Sequence, residues 1–268
     1  MLYKKPRIFL ASDSTVQSYE ETYYPQTGWG QVFIQYFKGE DDIKEASALN
    51  CSYEQARCYE SESIIIENRA IGGRSSRSFI EEGKFDELQK VLKPFDFLFV
   101  QFGHNDATIE RPNRYVSAYD FPCYITRYIK ACNEKDATCV LITPVARRNC
   151  DETGKFSISF NEYREVMIHL SKEYNIPLLD LGKYTMAYCE KYGIQESKEL
   201  FMWLAPNEYP DGAYQEGLSD NTHLQRKGAK AYANILAHLI AAYDKDTKLD
   251  RLKEIITPKP LIPFIDIP

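Results

Sequence analysis

The fold is set by residues 8–16, which read IFLASDSTV. Four apolar residues, 8–11, are followed at once by a polar turn. A short apolar run bounded in this way is typical of a strand buried on both faces, as strands of parallel sheets are. Further runs of the same kind occur at 63–67, 97–102, 138–143 and 176–181. The sequence therefore predicts five strands of a parallel sheet.

Segments in which apolar residues recur at helical spacing lie between these runs and after the last of them. They are 31–37, 79–92, 121–133, 161–174, 183–192 and 227–243. Strands that alternate with helices imply crossover connections, which place helices on both faces of the sheet. We therefore expect an α/β protein: a three-layer α/β/α sandwich with a doubly wound, five-stranded, mostly parallel sheet of flavodoxin-like type.

The chain is expected to form one domain over 1–268, because it contains no internal repeat, low-complexity segment or Gly/Ser linker. The segment 257–268 carries prolines among apolar residues, at Pro258, Pro260, Pro263 and Pro268. Such a tail should run extended over the surface. Its apolar residues indicate packing, and a homo-oligomer in which the tail contacts a second subunit is one hypothesis.

Charge and composition exclude several classes of partner. The 33 Lys and Arg residues against 39 Asp and Glu give a net charge of −6, the wrong sign for binding nucleic acid. No apolar stretch has the length of a membrane span, and the run 8–11 is too short for a signal peptide, so a cytoplasmic location is expected. The seven cysteines form no C-x-x-C pair, so we expect reduced, mostly packing cysteines and no metal site.

The turn after the first predicted strand is rich in hydroxyl groups. Ser14 can serve as a nucleophile at the start of a helix. The same turn can surround a phosphate with hydroxyls and N–H groups, or can cap a helix, because Ser and Thr favour that position. These residues alone leave the three interpretations open.

Two more loops follow predicted strands. The second strand leads into Gly72 and Gly73, which let the backbone approach a ligand and direct an N–H at a developing oxyanion, or simply form a tight turn. The third strand leads into His104 and Asn105, and the Asn105 amide can donate to the same oxyanion or form an Asx-turn. In a doubly wound sheet all these loops border one cleft, outside the carboxyl ends of the strands.

The candidate general base is found by elimination among four histidines. His169 and His238 lie inside predicted helices and are best explained by packing or surface exposure, while His104 can orient its own loop. His223 lies in a polar turn three residues after Asp220. That spacing lets the carboxylate bind one ring nitrogen while the other nitrogen takes a proton from a nucleophile.

Taken together, these motifs resemble those of the SGNH, or GDSL-type, hydrolases, most closely the rhamnogalacturonan acetylesterase group. The matching segments are ASDSTV at 11–16, TGWG at 27–30, AIGGRSSRSF at 70–79, FGHND at 102–106 and DNTH at 220–223. One departure is visible, because Ser12 stands where the family usually has glycine. A side chain must therefore fit beside the nucleophile turn.

The resemblance implies a Ser-His-Asp mechanism without metal or organic cofactor. It makes Ser14 the nucleophile, and Asp220 and His223 the rest of the triad. The oxyanion donors it implies are the N–H groups of Ser14 and Gly73 and the side chain of Asn105. The implied substrates are acetyl esters on oligosaccharides derived from the rhamnogalacturonan of pectin.

Substrate contacts are predicted from residue type and position. Arginines cluster in the segments after the predicted strands, at Arg74, Arg77, Arg111, Arg114, Arg147 and Arg148. They can bind galacturonate carboxylates or pair with nearby acidic residues, and we select Arg74 and Arg147 as candidates. Trp29 and Trp203 are candidates for stacking on sugar rings. The segment 199–217 is predicted to be a loop that forms a wall or lid of the cleft.

Three alternative functions stay open. A lipase or thioesterase of the same superfamily would accept longer acyl chains, and an acetylesterase could act on another acylated sugar such as xylan. A flavodoxin-like flavin-binding protein would use the turn after the first strand to hold a phosphate, but it leaves Asp220 and His223 unexplained.

Overall fold

A computed structural model describes residues 5–267; residues 1–4 and Pro268, the last residue of the predicted tail, lie outside the described part of the chain. The strands are β1 Arg7–Ala11, β2 Lys44–Ser47, β3 Arg57–Glu60, β4 Ile65–Asn68, β5 Phe97–Val100, β6 Thr138–Ile142, β7 Leu178–Leu179, β8 Phe201–Leu204 and β9 Leu218–Leu224. The α-helices are α1 Trp29–Val32, α2 Ser76–Glu81, α3 Lys84–Val91, α4 Phe121–Glu134, α5 Asn161–Glu173, α6 Leu181–Tyr192, α7 Arg226–Ala241 and α8 Asp250–Lys253. Short 3₁₀ helices occupy Glu21–Tyr23, Phe33–Tyr36 and Glu196–Leu200.

The main sheet has the strand order β2-β3-β4-β1-β5-β6-β7. The five predicted strands are β4, β1, β5, β6 and β7, and they pair in parallel. The chain leaves β1 first toward β4 on one side and then toward β5 on the other. This reversal opens a crevice at the carboxyl ends of these three strands. The predicted α/β/α sandwich with a doubly wound, mostly parallel sheet is confirmed.

The apolar runs of the central strands supply two cores. In β1, Ile8 and Leu10 belong to the core on one face of the sheet, whereas Phe9 and Ala11 belong to the core on the other. The first core is shared with α1, α6, α7 and α8, and the second with α2, α3, α4 and α5. Since neighbouring residues of a strand point to opposite faces, a strand covered by helices on both sides must be apolar throughout.

Two strands of the sheet have no counterpart in the prediction. β2 and β3 form an antiparallel hairpin that extends the sheet beyond β4. All four residues of β2, which read KEAS, are exposed. An edge strand of this kind buries no apolar face, so the hydrophobic pattern gives no sign of it.

The helices differ from the prediction mainly at their ends. The segment 79–92, predicted as one helix, is divided into α2 and α3 at Gly83, whose φ of 75° is left-handed and interrupts the helix. The segment 31–37 is mostly 3₁₀ helix after the short α1.

The predicted loop 199–217 is wrong in its first part. Phe201–Leu204 forms β8, which pairs with β9 in a separate antiparallel hairpin. The residues 219–223, predicted as a turn, lie within β9. These strands were missed because β9, which reads LSDNTHL, carries only its two terminal leucines as apolar residues.

The tail is extended along 257–267 and packs on its own chain. Asn234 of α7 binds the backbone of Lys259 through both side-chain atoms, at 2.9 Å each. The Tyr188 hydroxyl of α6 donates to the Ile262 carbonyl at 2.7 Å. The side chains of Ile262 and Phe264 are exposed. The predicted contact with a second subunit stays a hypothesis.

Two further features concern the helices and the cysteines. Within residues 5–267, no helix combines the length and the apolar character needed to cross a bilayer. The seven cysteines have free thiols; Cys132, Cys139 and Cys189 are buried, whereas Cys123 is exposed. The buried three fit the packing role that was predicted.

Candidate active site

The turn that holds Ser14 is built from hydrogen bonds of its neighbours. The Asp13 carbonyl accepts from the N–H groups of Val16 and Gln17 at 3.2 and 3.1 Å, and the Asp13 carboxylate accepts from Thr15 N–H and Oγ1 at 2.9 and 2.8 Å. The Ser14 carbonyl accepts from the Tyr19 hydroxyl at 2.8 Å. The chain therefore turns sharply after β1 and presents the Ser14 hydroxyl at the carboxyl edge of the sheet.

Strand β9 brings His223 to this hydroxyl and Asp220 to His223. The His223 Nε2 lies 3.0 Å from the Ser14 Oγ, and the His223 Nδ1 lies 2.6 Å from the Asp220 Oδ2. The three predicted triad residues thus form one chain of hydrogen bonds, across 209 positions of sequence between serine and histidine. An imidazole held in this way can take a proton from the serine.

Both oxygens of the Asp220 carboxylate accept hydrogen bonds. Its Oδ1 accepts from the N–H groups of Thr222 and His223 at 2.6 and 3.1 Å. Burial acts to raise the pKa of Asp220, but the bond from the His223 ring and its charge, together with these two N–H bonds, lower the pKa below its ordinary value of 3.8. The carboxylate is therefore ionised at neutral pH and can stabilise an imidazolium.

The predicted oxyanion donors surround the same hydroxyl. A Cβ built on Gly72 would lie 3.4 Å from the Ser14 Cβ, so this glycine loop touches the nucleophile. The Gly72 N–H is bound to the Gln17 Oε1 at 2.5 Å. By contrast, the N–H groups of Ser14 and Gly73 donate to no acceptor within residues 5–267. This difference favours Gly73, whose φ of 77° is left-handed, as the donor of the glycine pair.

Asn105 completes the set of donors. Its Nδ2 donates to the Arg74 carbonyl at 2.9 Å, and an amide nitrogen carries a second hydrogen. The loop is fixed by Asp106, which accepts from Ser76 N–H at 3.0 Å and from Gly103 N–H at 3.0 Å. Burial raises the pKa of Asp106 to about 7, against the lowering effect of the Ser76 bonds. Asn105 is thereby held on a rigid support.

Trp29 is placed away from any substrate. Its side chain is buried in the core, with 1% exposure, and its Nε1 donates to the Gln101 Oε1 at 3.0 Å. Gln101 in turn donates to the Thr15 Oγ1 at 2.9 Å. The predicted sugar contact of Trp29 is therefore wrong: the ring supports the nucleophile turn from below. Gln101, a polar residue directly after an apolar strand, is the feature of the sequence that could have indicated this support.

The serine that replaces the family's usual glycine is accommodated. Ser12 is buried, and its Oγ donates to the Gln101 carbonyl at 2.6 Å. The Ser12 hydroxyl is thus hydrogen-bonded to the residue that follows β5. The serine at this position therefore joins two neighbouring loops and causes no clash.

Trp203 lies beside the triad strand. Its Nε1 donates to the Asn221 Oδ1 at 2.8 Å. The guanidinium of Arg148 and the ammonium of Lys198 lie 5.4 and 4.5 Å from its ring centre. Arg148 also donates to the Asn221 Oδ1 at 3.3 Å. The ring is thus occupied by cations and holds β9 in place, an arrangement that argues against stacking on a sugar.

The two selected arginines differ in their surroundings. Arg74 donates to Glu82 at 3.0 Å and to the Gly72 carbonyl at 2.8 Å. Arg147 stacks 4.7 Å above the Phe160 ring and hydrogen-bonds to no acidic side chain within residues 5–267. Both flank the triad.

Asp13 and His104 are buried near the triad. Both belong to the sequence motifs, but neither was predicted to be catalytic. The Asp13 Oδ2 and the His104 Nδ1 are buried and have no partner within the described chain. Burial raises the pKa of Asp13 and lowers that of His104 well below 6.5. His104 donates through Nε2 to the Val145 carbonyl at 3.1 Å and so connects the loops after β5 and β6, consistent with the orienting role that was predicted.

The fold and these contacts define a class, the serine hydrolases that attack an ester from the edge of a doubly wound α/β sheet. The chain belongs to the GDSL-like lipase/acylhydrolase family, whose model matches residues 8–236. The resemblance inferred from the motifs is confirmed, and the protein is a serine ester hydrolase.

Two relatives match nearly the whole chain. The rhamnogalacturonan acetylesterase RhgT of Bacillus subtilis is 37% identical over 88% of this chain and 90% of its own. The probable rhamnogalacturonan acetylesterase YesY of the same organism is 36% identical over 93% of this chain and 97% of its own. The crystal structure of Bacillus subtilis YxiM superposes with a TM-score of 0.68 at 24% identity, over 88% of this chain and 56% of that one, which supports the fold.

Proposed function

We propose that the protein is a carbohydrate esterase that removes acetyl groups from pectic oligosaccharides of the rhamnogalacturonan type. The observation that carries the proposal is the hydrogen-bonded series Ser14, His223 and Asp220, with distances of 3.0 and 2.6 Å. The substrate class is supported by the relatives named as rhamnogalacturonan acetylesterases, which match this chain over 88% and 93% of its length.

The reaction proceeds through a covalent acetyl-enzyme. The Ser14 Oγ attacks the acetyl carbonyl carbon while its proton passes to the His223 Nε2. The tetrahedral intermediate then expels the sugar oxygen, which takes that proton, and the acetyl group stays on Ser14. Water attacks next, aided by the same imidazole, and acetate leaves as Ser14 regains its proton. The Asp220 carboxylate stabilises the imidazolium in both halves of the reaction.

The intermediate's negative oxygen is bound by three donors. These are the N–H groups of Ser14 and Gly73 and the second hydrogen of the Asn105 amide. Because they are held by the backbone and by Asp106 before substrate arrives, they need no reorganisation when charge develops. This arrangement uses only groups of the chain itself.

The decisive experiment is acetate release from acetylated rhamnogalacturonan oligosaccharides by the wild type and by Ser14→Ala. We expect the variant to lose at least about a thousandfold in kcat, because the nucleophile is gone. Ser52→Ala, at an exposed position of the loop between β2 and β3, is the matched control and should retain activity. Activity that survives in Ser14→Ala would refute the assignment of the nucleophile.

The alternatives are separated by chain length and sugar. On p-nitrophenyl esters we expect a sharp preference for acetyl over butyryl and octanoyl. Rates that rise with acyl length would identify a lipase or thioesterase, and faster release from acetylated xylan would move the substrate to another polysaccharide. Bound flavin would colour the purified protein yellow, and we expect none.

Cytoplasmic location, and with it a preference for imported oligosaccharides over polymer, belongs to the same proposal. So do the lack of nucleic-acid binding, expected from the net charge of −6, and the homo-oligomer in which the tail 257–268 contacts a second subunit. Cell fractionation and the mass of the protein in solution test the first and the last.

A further inference from the structure

The arginines near the triad differ in the groups that they bind. Arg77 forms an ion pair with Glu81, and Arg148 donates to oxygens of Ser197 and Ile194. These cations are engaged in holding the fold. Within residues 5–267, three arginines near the triad have a guanidinium group that neither pairs with a carboxylate nor hydrogen-bonds to any other side chain: Arg111, Arg114 and Arg147.

Arg147 already has negative charge close by. Burial lowers its pKa, while the charges of Asp13 and Asp220 act to raise it. A further anion bound at Arg147 would therefore meet repulsion from two carboxyl groups of the site. Because Asp13 and Asp220 already offset its charge, Arg147 is a weaker candidate for binding an acidic ligand.

Arg114 differs from Arg147 in having two other guanidinium groups close by. Burial and the charges of Arg111 and Arg74 lower its pKa, while the charge of Asp13 acts to raise it. Its Nε is buried without a partner in the described structure, and its Nη1 donates only to the Gly73 carbonyl, at 3.3 Å. We name Arg74, Arg111 and Arg114 the basic cluster.

The basic cluster carries more positive charge than its neighbours cancel. Glu82 is the one carboxylate hydrogen-bonded to it among residues 5–267, and Glu82 also accepts from Lys84 at 2.7 Å. One carboxylate thus serves two cations, while Arg111 and Arg114 have none. Guanidinium groups in excess at a partly buried position favour a carboxylate, which they bind through paired N–H donors.

The basic cluster also adjoins the reacting ester. Arg114 donates to the Gly73 carbonyl and Arg74 to the Gly72 carbonyl, at 3.3 and 2.8 Å. The Arg74 carbonyl accepts from the Asn105 amide at 2.9 Å. The cluster therefore lies directly behind two of the three oxyanion donors. A group bound there would therefore lie next to the acetyl group under attack.

We propose that the basic cluster binds a carboxylate of the sugar chain that carries the acetyl group, so that uronate-containing oligosaccharides are preferred over neutral ones. This inference rests on the proposed function and adds to it the residues that select the substrate. It transfers the predicted carboxylate contact from Arg147 to Arg114 and Arg111.

The test compares acetylated rhamnogalacturonan oligosaccharides with the same molecules after their carboxyl groups are reduced to alcohols. For the wild type we expect reduction to lower kcat/KM about tenfold, through KM, because a charge-assisted pair is lost. For Arg114→Gln, kcat/KM on the acidic substrate should lie within twofold of kcat/KM on the reduced substrate. Arg127→Gln, at an exposed arginine of α4, should keep the wild-type ratio.

A second measurement separates this inference from the proposed function. Deacetylated oligosaccharides, acidic and reduced, are tested as inhibitors of p-nitrophenyl acetate hydrolysis. Stronger inhibition by the acidic form that disappears in Arg114→Gln supports the cluster even if no acetylated oligosaccharide is hydrolysed. The inference would be overturned if Arg114→Gln lost the same factor in kcat/KM on acidic and reduced substrates, and if acidic and reduced oligosaccharides inhibited the enzyme equally. Arg114 would then have only a structural role.

Discussion

The two halves of the triad are held in different ways. Ser14 lies at the carboxyl edge of the parallel sheet, on a turn whose supports, Asp13, Thr15 and Gln101, are almost fully buried. Asp220 and His223 lie on β9, outside that sheet, with side chains 24% and 32% exposed. The nucleophile turn is supported by the core of the sheet, whereas the base is carried by the partly exposed strand of a separate hairpin. Catalysis depends on keeping these two units in register.

Backbone hydrogen bonds help to join the two units. The Leu224 carbonyl accepts from Thr27 N–H at 2.9 Å, and the Asn221 carbonyl accepts from Arg148 N–H at 2.8 Å. Gln225 donates to the Phe201 carbonyl at 2.7 Å and so closes the hairpin. Changes in the core should therefore act on stability as well as rate, and changes on the hairpin mainly on rate.

The largest effect is expected from Asp220→Asn on the hairpin. The amide preserves shape but cannot hold the imidazole in the required tautomer or stabilise its charge, so kcat should fall by about 10⁴-fold. Steady-state kinetics on p-nitrophenyl acetate measure this change, and the thermal midpoint should stay within a few degrees of the wild type.

Asp211→Asn is the matched control for that prediction. Asp211 is exposed on the segment that connects β8 and β9, so its variant should keep the wild-type rate. A loss of less than tenfold in Asp220→Asn would show that the hairpin positions His223 without this carboxylate.

The core half was more predictable from sequence than the hairpin. Parallel strands buried on both faces leave apolar runs, so β1, β4, β5 and β6 are visible in the sequence, and the carboxyl ends of β1, β4 and β5 place Ser14, Gly73 and Asn105 at one crevice. β2 and β9 leave no such pattern, because β2 is exposed throughout and β9 is polar between its terminal leucines. Asp220 and His223 were found through their spacing and residue type alone.

The surroundings of individual side chains could not be predicted from the sequence. Trp29 and Trp203 are both aromatic residues near motifs, yet one is buried under the nucleophile turn and the other lies beside β9 between cations. Nor does sequence separate Arg114 from Arg147, because the charges that surround each guanidinium come from distant segments of the chain.

An intermediate effect is expected at the core half, from Asn105→Ala. Removing one oxyanion donor should lower kcat by about 10²- to 10³-fold with little change in KM. Because the amide also donates to the Arg74 carbonyl, stability should fall by about 1 kcal/mol, measured by urea denaturation. Thr108→Ala, which removes a hydrogen bond to the His104 carbonyl in the same loop, is the control and should change kcat less than threefold.

The smallest effect is expected at the joint between the two halves, from Asn221→Ala. The substitution removes the bonds from Trp203 and Arg148 to the Asn221 side chain, at 2.8 and 3.3 Å, but leaves the backbone bond from Arg148 N–H. Since an exposed hydrogen bond contributes about 1 kcal/mol or less, β9 should shift only part of the time, and kcat/KM should fall about three- to tenfold. Asn133→Ala, at an exposed position of α4, provides the control, measured with p-nitrophenyl acetate. A loss as large as that of Asp220→Asn would mean that the side-chain contacts at Asn221, rather than the backbone bonds, keep the base in register with the nucleophile.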